Sequence, residues 1–221
     1  MPTVEHVDAL KSLSPSTVLD VGANKGQFSL VARHLFPRAQ IHAFEPLESE
    51  RRTFQSVVSG PVRMHAVALG AMRGKAEFFV ASRADSSSLL TPGKRQEMAY
   101  GVGLAKTITV FVERLEDAIR PEDLVGPVLL KLDVQGAELQ VLRGAGNVLS
   151  LIEAIYCEVS FVELYNTQPT ADVIISFLNN LGFGLRGVFN LSRTKHFGPT
   201  QADLLFSRSV VQIDGTERIT T

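Results

Sequence analysis

Residues 18–27, Val-Leu-Asp-Val-Gly-Ala-Asn-Lys-Gly-Gln, constrain this chain more than any other segment. Apolar residues run as a buried strand into Asp20, Gly22 and Gly26 bracket a tight turn, and a helical pattern follows at once. Glu45 closes a second apolar strand, Gln40–Phe44. Strand, glycine turn, helix and acidic strand end together compose a nucleoside-binding βαβ unit.

The spacing bears on which nucleoside. A dinucleotide fingerprint, G-x-G-x-x-G, aims backbone amides and a helix N-terminus at a pyrophosphate. Here the series is Gly22, Asn24, Gly26, followed by Gln27 and Phe28, so the second and third glycines are missing. Asp20 at the strand end repels a pyrophosphate but suits a cationic amino group. S-adenosylmethionine offers that ammonium, a sulfonium and no phosphate. Asn24 is tolerated at the middle position because Asn visits positive φ readily. Glu45 supplies two acceptor oxygens for two ribose hydroxyls. An ordinary βα turn with Asp20 and Glu45 as solvated caps is the plainer alternative.

The chain has 221 residues, 45% of them hydrophobic and 20% charged, enough for one α/β domain with a large core. We expect a single domain over 1–221, with a lead-in helix within 1–14, a core over 15–208 and a frayed polar tail over 209–221. A net charge of −1 and the lack of a long basic run argue against nucleic acid as partner. The single cysteine, Cys157, sits in an apolar run and reads as a small core hydrophobe. No stretch approaches the roughly 18 apolar residues of a membrane span. The first fourteen residues carry Glu5 and Asp8 and lack a signal-peptide h-region, so a cytoplasmic protein is expected.

Periodicity places a lead-in helix at Val4–Leu13, then strands at Thr17–Val21, Gln40–Phe44 and Val62–Ala66. Helices at about Lys25–Phe36 and Leu47–Val58 separate them, the second opened by Pro46 in its first turn. This βαβαβ series calls for a parallel sheet with right-handed crossovers. Lys75–Ala81 and Thr107–Val112 read as a strand pair joined by a polar loop of about 25 residues that holds Ser86–Ser88, long enough to imply a functional or mobile segment. Strand Val128–Leu132 ends at Asp133, and helix Ala137–Leu142 and strand Ala154–Val159 follow. Thr170 caps a helix that runs to Asn180, and Phe183–Asn190 with Asp203–Phe206 form a terminal strand pair.

Several segments together resemble the FkbM family of S-adenosylmethionine-dependent methyltransferases. They are Leu19–Gln27, Ala43-Phe-Glu-Pro46, Ser87-Ser-Leu89, Leu130-Lys-Leu-Asp-Val-Gln-Gly-Ala-Glu138 with Val141-Leu142 and Gly144-Ala145, and Glu158-Val-Ser-Phe161. Their order extends over about residues 17–206. The resemblance implies an α/β, Rossmann-like class I methyltransferase fold: a seven-stranded, mostly parallel sheet with an antiparallel C-terminal strand. The strand count from periodicity agrees and adds a strand pair in the middle. The resemblance also implies S-adenosyl-L-methionine as cofactor. Gly22, Asn24, Gly26 and Gln27 would shape the backbone around its methionine part, with Asp20 near its amino group. Glu45, followed by Pro46, would hold the ribose, the Ala66–Leu69 segment including Ala68 would border the adenine, and Asp133 would stand beside the methyl group.

Methyl transfer is an in-line displacement at carbon, so alignment and exclusion of water dominate, and an alcohol nucleophile must also lose its proton. Asp133, Glu138 and Glu158 fall near the carboxyl edge of the sheet as candidate bases. Asp133 is favoured as base or hydroxyl acceptor, with Glu158 as its partner. Asp133 also suits a helix cap, and Glu138 the first turn of a helix. Lys131, inside a strand, reaches the surface or pairs with a carboxylate. His42 and His65 read as structural.

The acceptor side is drawn from Ser87 and Ser88 in the long loop, Phe161, Leu164 and Tyr165 after a strand, and His196 between the final strands. No His, Asp and Glu spacing matches a metal site. The expected activity is O-methylation of a sugar, glycolipid or polyketide-like small molecule, a neutral small-molecule or glycan acceptor. An NAD-type oxidoreductase and a non-catalytic methyltransferase-like subunit are the alternatives.

Overall fold

The computed structural model of the chain describes residues 4–208. In chain order its elements are α1 (Val4–Leu10), β1 (Thr17–Val21), α2 (Gln27–Leu35), β2 (Gln40–Phe44), α3 (Glu48–Val57), β3 (Val62–His65), β4 (Ala68–Leu69) and β5 (Gly74–Ala81). Then come α4 (Lys94–Tyr100), β6 (Leu104–Glu113), α5 (Leu115–Ala118), β7 (Val128–Leu132), α6 (Glu138–Gly144), β8 (Ile152–Ser160), α7 (Ala171–Asn180), β9 (Gly184–Thr194) and β10 (Gly198–Ser207). The tail expected at 209–221 lies outside the described residues, as do residues 1–3 of the lead-in segment.

Seven strands form one sheet in the order β3-β2-β1-β7-β8-β10-β9. Only β10 runs antiparallel to its neighbours, and every other pairing is parallel. β1 and β7 are buried at all five positions, as expected of central strands covered on both faces. Side chains alternate between faces. One face packs Val18, Ile41, Leu129 and Ala154 under α1, α2 and α3 through Leu10, Phe28, Ala32 and Phe54. The other packs Leu19, Leu130, Ile155, Cys157 and Phe206 under α6 and α7 through Val141, Leu142, Ile174 and Leu178. Each such aliphatic side chain, fully buried, contributes about 1.5–3 kcal/mol. Burial pushes the Cys157 thiol well above its ordinary pKa, in keeping with a core role.

β1, β2 and β7 fall on the residues that the apolar runs mark out. The middle of the chain holds the expected extra strand pair, which stands apart from the main sheet. β5 and β6 join the two-residue β4 in a separate three-stranded sheet, order β4-β6-β5, with its own apolar cluster of Leu47, Ala68, Phe78, Val80, Val110 and Val112. The long connection between β5 and β6 is structured too. It holds a 3-10 turn at Ala84–Ser86 and helix α4. α4 buries only Gln96, so it carries no apolar stripe from which a helix could be read.

Two helix starts differ from expectation. Pro46 does not open α3: Leu47 is the N-cap, and its amide donates to Glu45 Oε1 at 2.8 Å. Thr170 occupies the N-cap position of α7, but its hydroxyl donates to Asp172 Oδ1 at 2.6 Å instead of capping an amide. Among the described residues no helix is long and apolar enough to cross a membrane.

The small sheet docks on the main one where α6 meets the end of β4. A Cβ built on Gly144 would lie 2.0 Å from the Gly70 carbonyl oxygen, a backbone atom that cannot swing aside. Gly144→Ala is therefore expected to destabilise the fold by about 1–3 kcal/mol in urea titrations. Gly74→Ala, with nothing within 4 Å of the added carbon, should change stability by less than about 0.5 kcal/mol.

Candidate active site at the carboxyl edge of the sheet

The β1–α2 turn is shaped by its backbone. Gly22 has φ +76° and Asn24 φ +46°. A Cβ on Gly22 would fall 1.9 Å from the Asp133 carbonyl oxygen, so β1 and β7 approach at their ends as closely as glycine allows. The Gly22 and Ala23 amides donate to the Phe44 carbonyl at 3.1 and 3.0 Å, tying the turn to β2. The Asn24 amide donates to Glu45 Oε2 at 3.0 Å. Glu45 is buried at the turn with both oxygens engaged by amides, and burial raises its carboxyl to a pKa of about 7 against the pull of the Leu47 and Asn24 amides.

A cavity of about 350 Å³ opens over this edge, within the range of small-molecule sites. One end is bounded by the turn (Gly22, Ala23, Asn24, Gln27), by Glu45 and Pro46, and by Val67, Ala68 and Leu69, with Phe78 and Leu89 of the small sheet above. The other end is polar and lies on the face covered by α1 and α2. Asp20 is paired in register with Lys131, Lys131 with Tyr156, and Asp203 with Glu158. These register pairs bring ionisable groups from four adjacent strands into one place.

Lys131 is the hub of that end. Its Nζ lies 3.2 Å from Asp20 Oδ1 and 3.7 Å from Asp133 Oδ2, donates to the Gly22 carbonyl at 3.0 Å, and sits 5.6 Å from the Phe28 ring centre. Burial alone would lower its pKa, but Asp20 and Asp133 more than reverse this and hold it raised. Beyond it, Gln135 Nε2 donates to Asp133 Oδ1 and to Glu158 Oε2, each at 2.8 Å. Burial, with the charges of Asp133, Asp203 and Glu138 nearby, pushes Glu158 well above the usual carboxylate range. Asp203 Oδ2 accepts from Asn190 Nδ2 at 2.7 Å and from the Tyr156 hydroxyl at 3.2 Å, and lies 3.7 Å from His6 Nδ1.

A family model described as "Methyltransferase FkbM domain" matches residues 20–185. The chain belongs to the FkbM methyltransferase family. It is 30% identical over 173 residues to the 2-O-methyltransferase NoeI of Sinorhizobium fredii, covering 73% of this chain and 70% of NoeI. It is 34% identical over 145 residues to Methyltransferase 1 of Beauveria bassiana, covering 58% of each. An rRNA methylase structure from Streptococcus thermophilus shares the fold, with a TM-score of 0.51, 11% identity and coverage of 95% of this chain and 98% of that one.

In this FkbM methyltransferase the expected site residues divide. Gly22, Asn24, Gln27, Glu45, Pro46, Ala68, Ser87, Asp133 and Glu158 all line the one cavity. Asp20 does not. It is fully buried beneath the turn, accepts from Ser29 Oγ at 2.6 Å and faces Lys131, so it meets no ligand directly. Gly26 lies behind the turn as the N-cap of α2. Glu138 is buried and outside the cavity: its Oε1 accepts from the Val134 and Gly136 amides at 3.0 and 3.1 Å, clasping the β7–α6 loop, which removes it as a candidate base. Lys131 is buried rather than surface-reaching.

The acceptor residues fare less well. Ser88 stays in the loop, where its hydroxyl donates to the Val134 carbonyl at 3.3 Å. Tyr165 and Leu164 are fully buried and Phe161 is exposed, and none of the three lines the cavity. His196 is exposed in the β9–β10 connection, with its ring beside Phe197, away from the cavity. His42 and His65 stack on each other with ring centres 5.5 Å apart, and burial lowers both, His65 to about 4.

Sequence reasoning missed His6, Phe28, Gln135, Tyr156, Asn190 and Asp203 in the cavity wall. Two carried a readable signal: Tyr156 and Asp203 are polar groups inside otherwise apolar strands. His6 and Asn190 arrive from α1 and β9 only through the fold.

Removing the ammonium strands Asp20 as a buried charge. Lys131→Met is expected to lower stability by about 3–5 kcal/mol in urea, and adding Asp20→Leu to recover most of it. The raised carboxyls also set a pH trend. Glu45 and Glu138, each pushed by burial to about 7, favour the fold most while protonated, below their unfolded values. That stabilisation is lost as pH rises through 7, against the opposite trend of the lowered His42 and His65, so between pH 5 and 7.5 the melting temperature of Glu138→Gln should fall less, or rise more, than that of the parent protein. Parallel curves for the two proteins would contradict the assignment.

Proposed function

We propose that this methyltransferase uses S-adenosyl-L-methionine to methylate a hydroxyl on a sugar, glycolipid or polyketide-like small molecule. The observation that carries the reading is the joining of two unlike ends in one cavity: a glycine-shaped turn facing Glu45, and the Asp133–Glu158 carboxylate pair. The name of NoeI, a 2-O-methyltransferase, supports a hydroxyl as the nucleophile. A chain of net charge −1 is in keeping with a neutral acceptor.

The residues suit the cofactor. Glycine at 22 lets the turn pack against the Asp133 backbone, which sets the turn and the Asp133 carboxylate around one space. Glu45 keeps spare lone pairs beside its two amide bonds, which two ribose hydroxyls can use. Val67, Ala68 and Leu69 offer apolar surface to a base, and Gly22, Ala23, Asn24 and Gln27 border the methionine part. When bound, the cofactor supplies an electrophilic methyl group on a sulfonium.

The protein's own contribution is then alignment and a proton sink. Asp133, kept close to the Lys131 ammonium, orients the acceptor hydroxyl. Glu158, with its proton affinity raised by burial, takes the proton as the oxygen bonds to carbon. Phe28, Leu132, Val134 and Tyr156 line the same space and keep water from competing.

Thermal-shift measurements should show stabilisation by S-adenosylhomocysteine and none by NAD at the same concentration. With labelled S-adenosylmethionine and a panel of glycans and polyketide alcohols, label should appear on oxygen. Asp133→Asn should lower turnover by about 10²-fold or more while S-adenosylhomocysteine affinity stays within about threefold. Label recovered on amines alone would overturn the assignment to oxygen.

A further inference from the structure

Asp133 follows the last residue of β7, and the register that pairs Leu132 with Cys157 sets it beside Glu158 inside β8. Two carboxylates in that position ordinarily share a proton, which raises one pKa and lowers the other. A pair that has already captured a proton makes a poor acceptor for another. What separates them here is one amide group. Gln135 Nε2 stands 2.8 Å from Asp133 Oδ1 and 2.8 Å from Glu158 Oε2, with one hydrogen for each.

The other face of the amide meets a buried hydroxyl. Its Oε1 lies 2.9 Å from the Tyr165 hydroxyl, which is also 2.8 Å from the Ser86 carbonyl and receives Gln96 Nε2 at 3.2 Å. Tyr165 is fully buried and Gln96 nearly so, and both belong to segments outside the main sheet. The backbone is committed as well: Gln135 has φ +54°, a region a non-glycine residue occupies at a cost. A positive φ and a buried hydroxyl beside the amide oxygen both favour aiming the one nitrogen between the two carboxylates.

We propose that Gln135 is a positioning residue that fixes the Asp133 and Glu158 carboxylates side by side and weakens proton sharing between them, by donating from a single amide nitrogen to both. Other groups face the pair from the surrounding elements: Lys131 on β7, Asp203 on β10, Glu138 on α6, Tyr100 on α4, Tyr165 after β8 and His6 on α1. Only Lys131 among them is a permanent cation, and it serves the Asp133 side. Gln201 Nε2 also donates to Glu158 Oε2 at 3.0 Å, on the Glu158 side of the pair. Gln135 therefore supplies the donor common to the two acids. Its value to catalysis rests on the proton-transfer reading above, whereas its effect on the two acids does not.

The test needs neither cofactor nor acceptor. The full chain, labelled with carbon-13 at Asp and Glu carboxyls, is titrated by NMR from pH 4 to 9, with Asp133→Asn and Glu158→Gln identifying the two signals. Gln135→Gly deletes the amide while suiting the positive φ, so the fold should tolerate it. The upper titration of the pair is expected to rise by about one pH unit, a tenfold gain in proton affinity. Tyr165→Phe keeps the ring, frees the amide to rotate, and should shift the same signal upward by a smaller amount. Curves for Gln135→Gly and Tyr165→Phe that superimpose on the parent's would overturn the proposal. The assignment to O-methylation would be untouched, because it is judged by where label goes.

Discussion

One buried ammonium group organises the functional edge of this fold. Lys131 Nζ reaches the end of β1 through the Val21 and Gly22 carbonyls, pairs with Asp20 beneath the turn and stands beside Asp133 at the end of its own strand. A lysine nearly excluded from water is tolerable only because these partners surround it. The same contacts lock the glycine turn to β7, which places the turn backbone and the Asp133 carboxylate in a fixed relation. The turn that most defines the chain is thus held from below by charge and from the side by the Phe44 carbonyl.

The cavity is finished by parts that lie outside the parallel core. The small sheet contributes Phe78 and, in its 3-10 turn and loop, Ala84, Ser87 and Leu89. Its connection also reaches under the site, because the Ser86 carbonyl and Gln96 hold the Tyr165 hydroxyl that faces Gln135. From the opposite side, α1 brings His6 against Tyr156 and Asn190. The surroundings of the acids at the carboxyl edge are consequently set in part by segments distant in sequence.

Much of this was legible in the residues. Thr17–Val21, Gln40–Phe44 and Val128–Leu132 are continuous apolar runs between turn signals, and a central parallel strand has little freedom to be anything else. Glu45 and Asp133 follow two of those strands directly, so their place at the carboxyl edge comes with the strand itself. Roles were harder to read than places. Asp20, Asp133, Glu138 and Glu158 look alike as letters, yet Asp20 is fully buried against a lysine, Glu138 clasps two amides, and Asp133 and Glu158 face the cavity. Tyr165 looked like a ligand contact and proved to be a buried prop for Gln135.

By itself the sequence determined the local matters: which segments are strands, where the chain turns at Gly22 and Asn24, and which strand ends carry acids. These depend on alternation, burial and backbone preference over a few residues. The tertiary structure alone decided which acids share a cavity, which are neutralised beneath it, and that His6, Asn190 and Asp203 meet Tyr156. Those outcomes depend on strand order and register, which bring together residues as far apart in sequence as His6 and Asp203, and on a low-dielectric interior that shifts proton affinities according to neighbours.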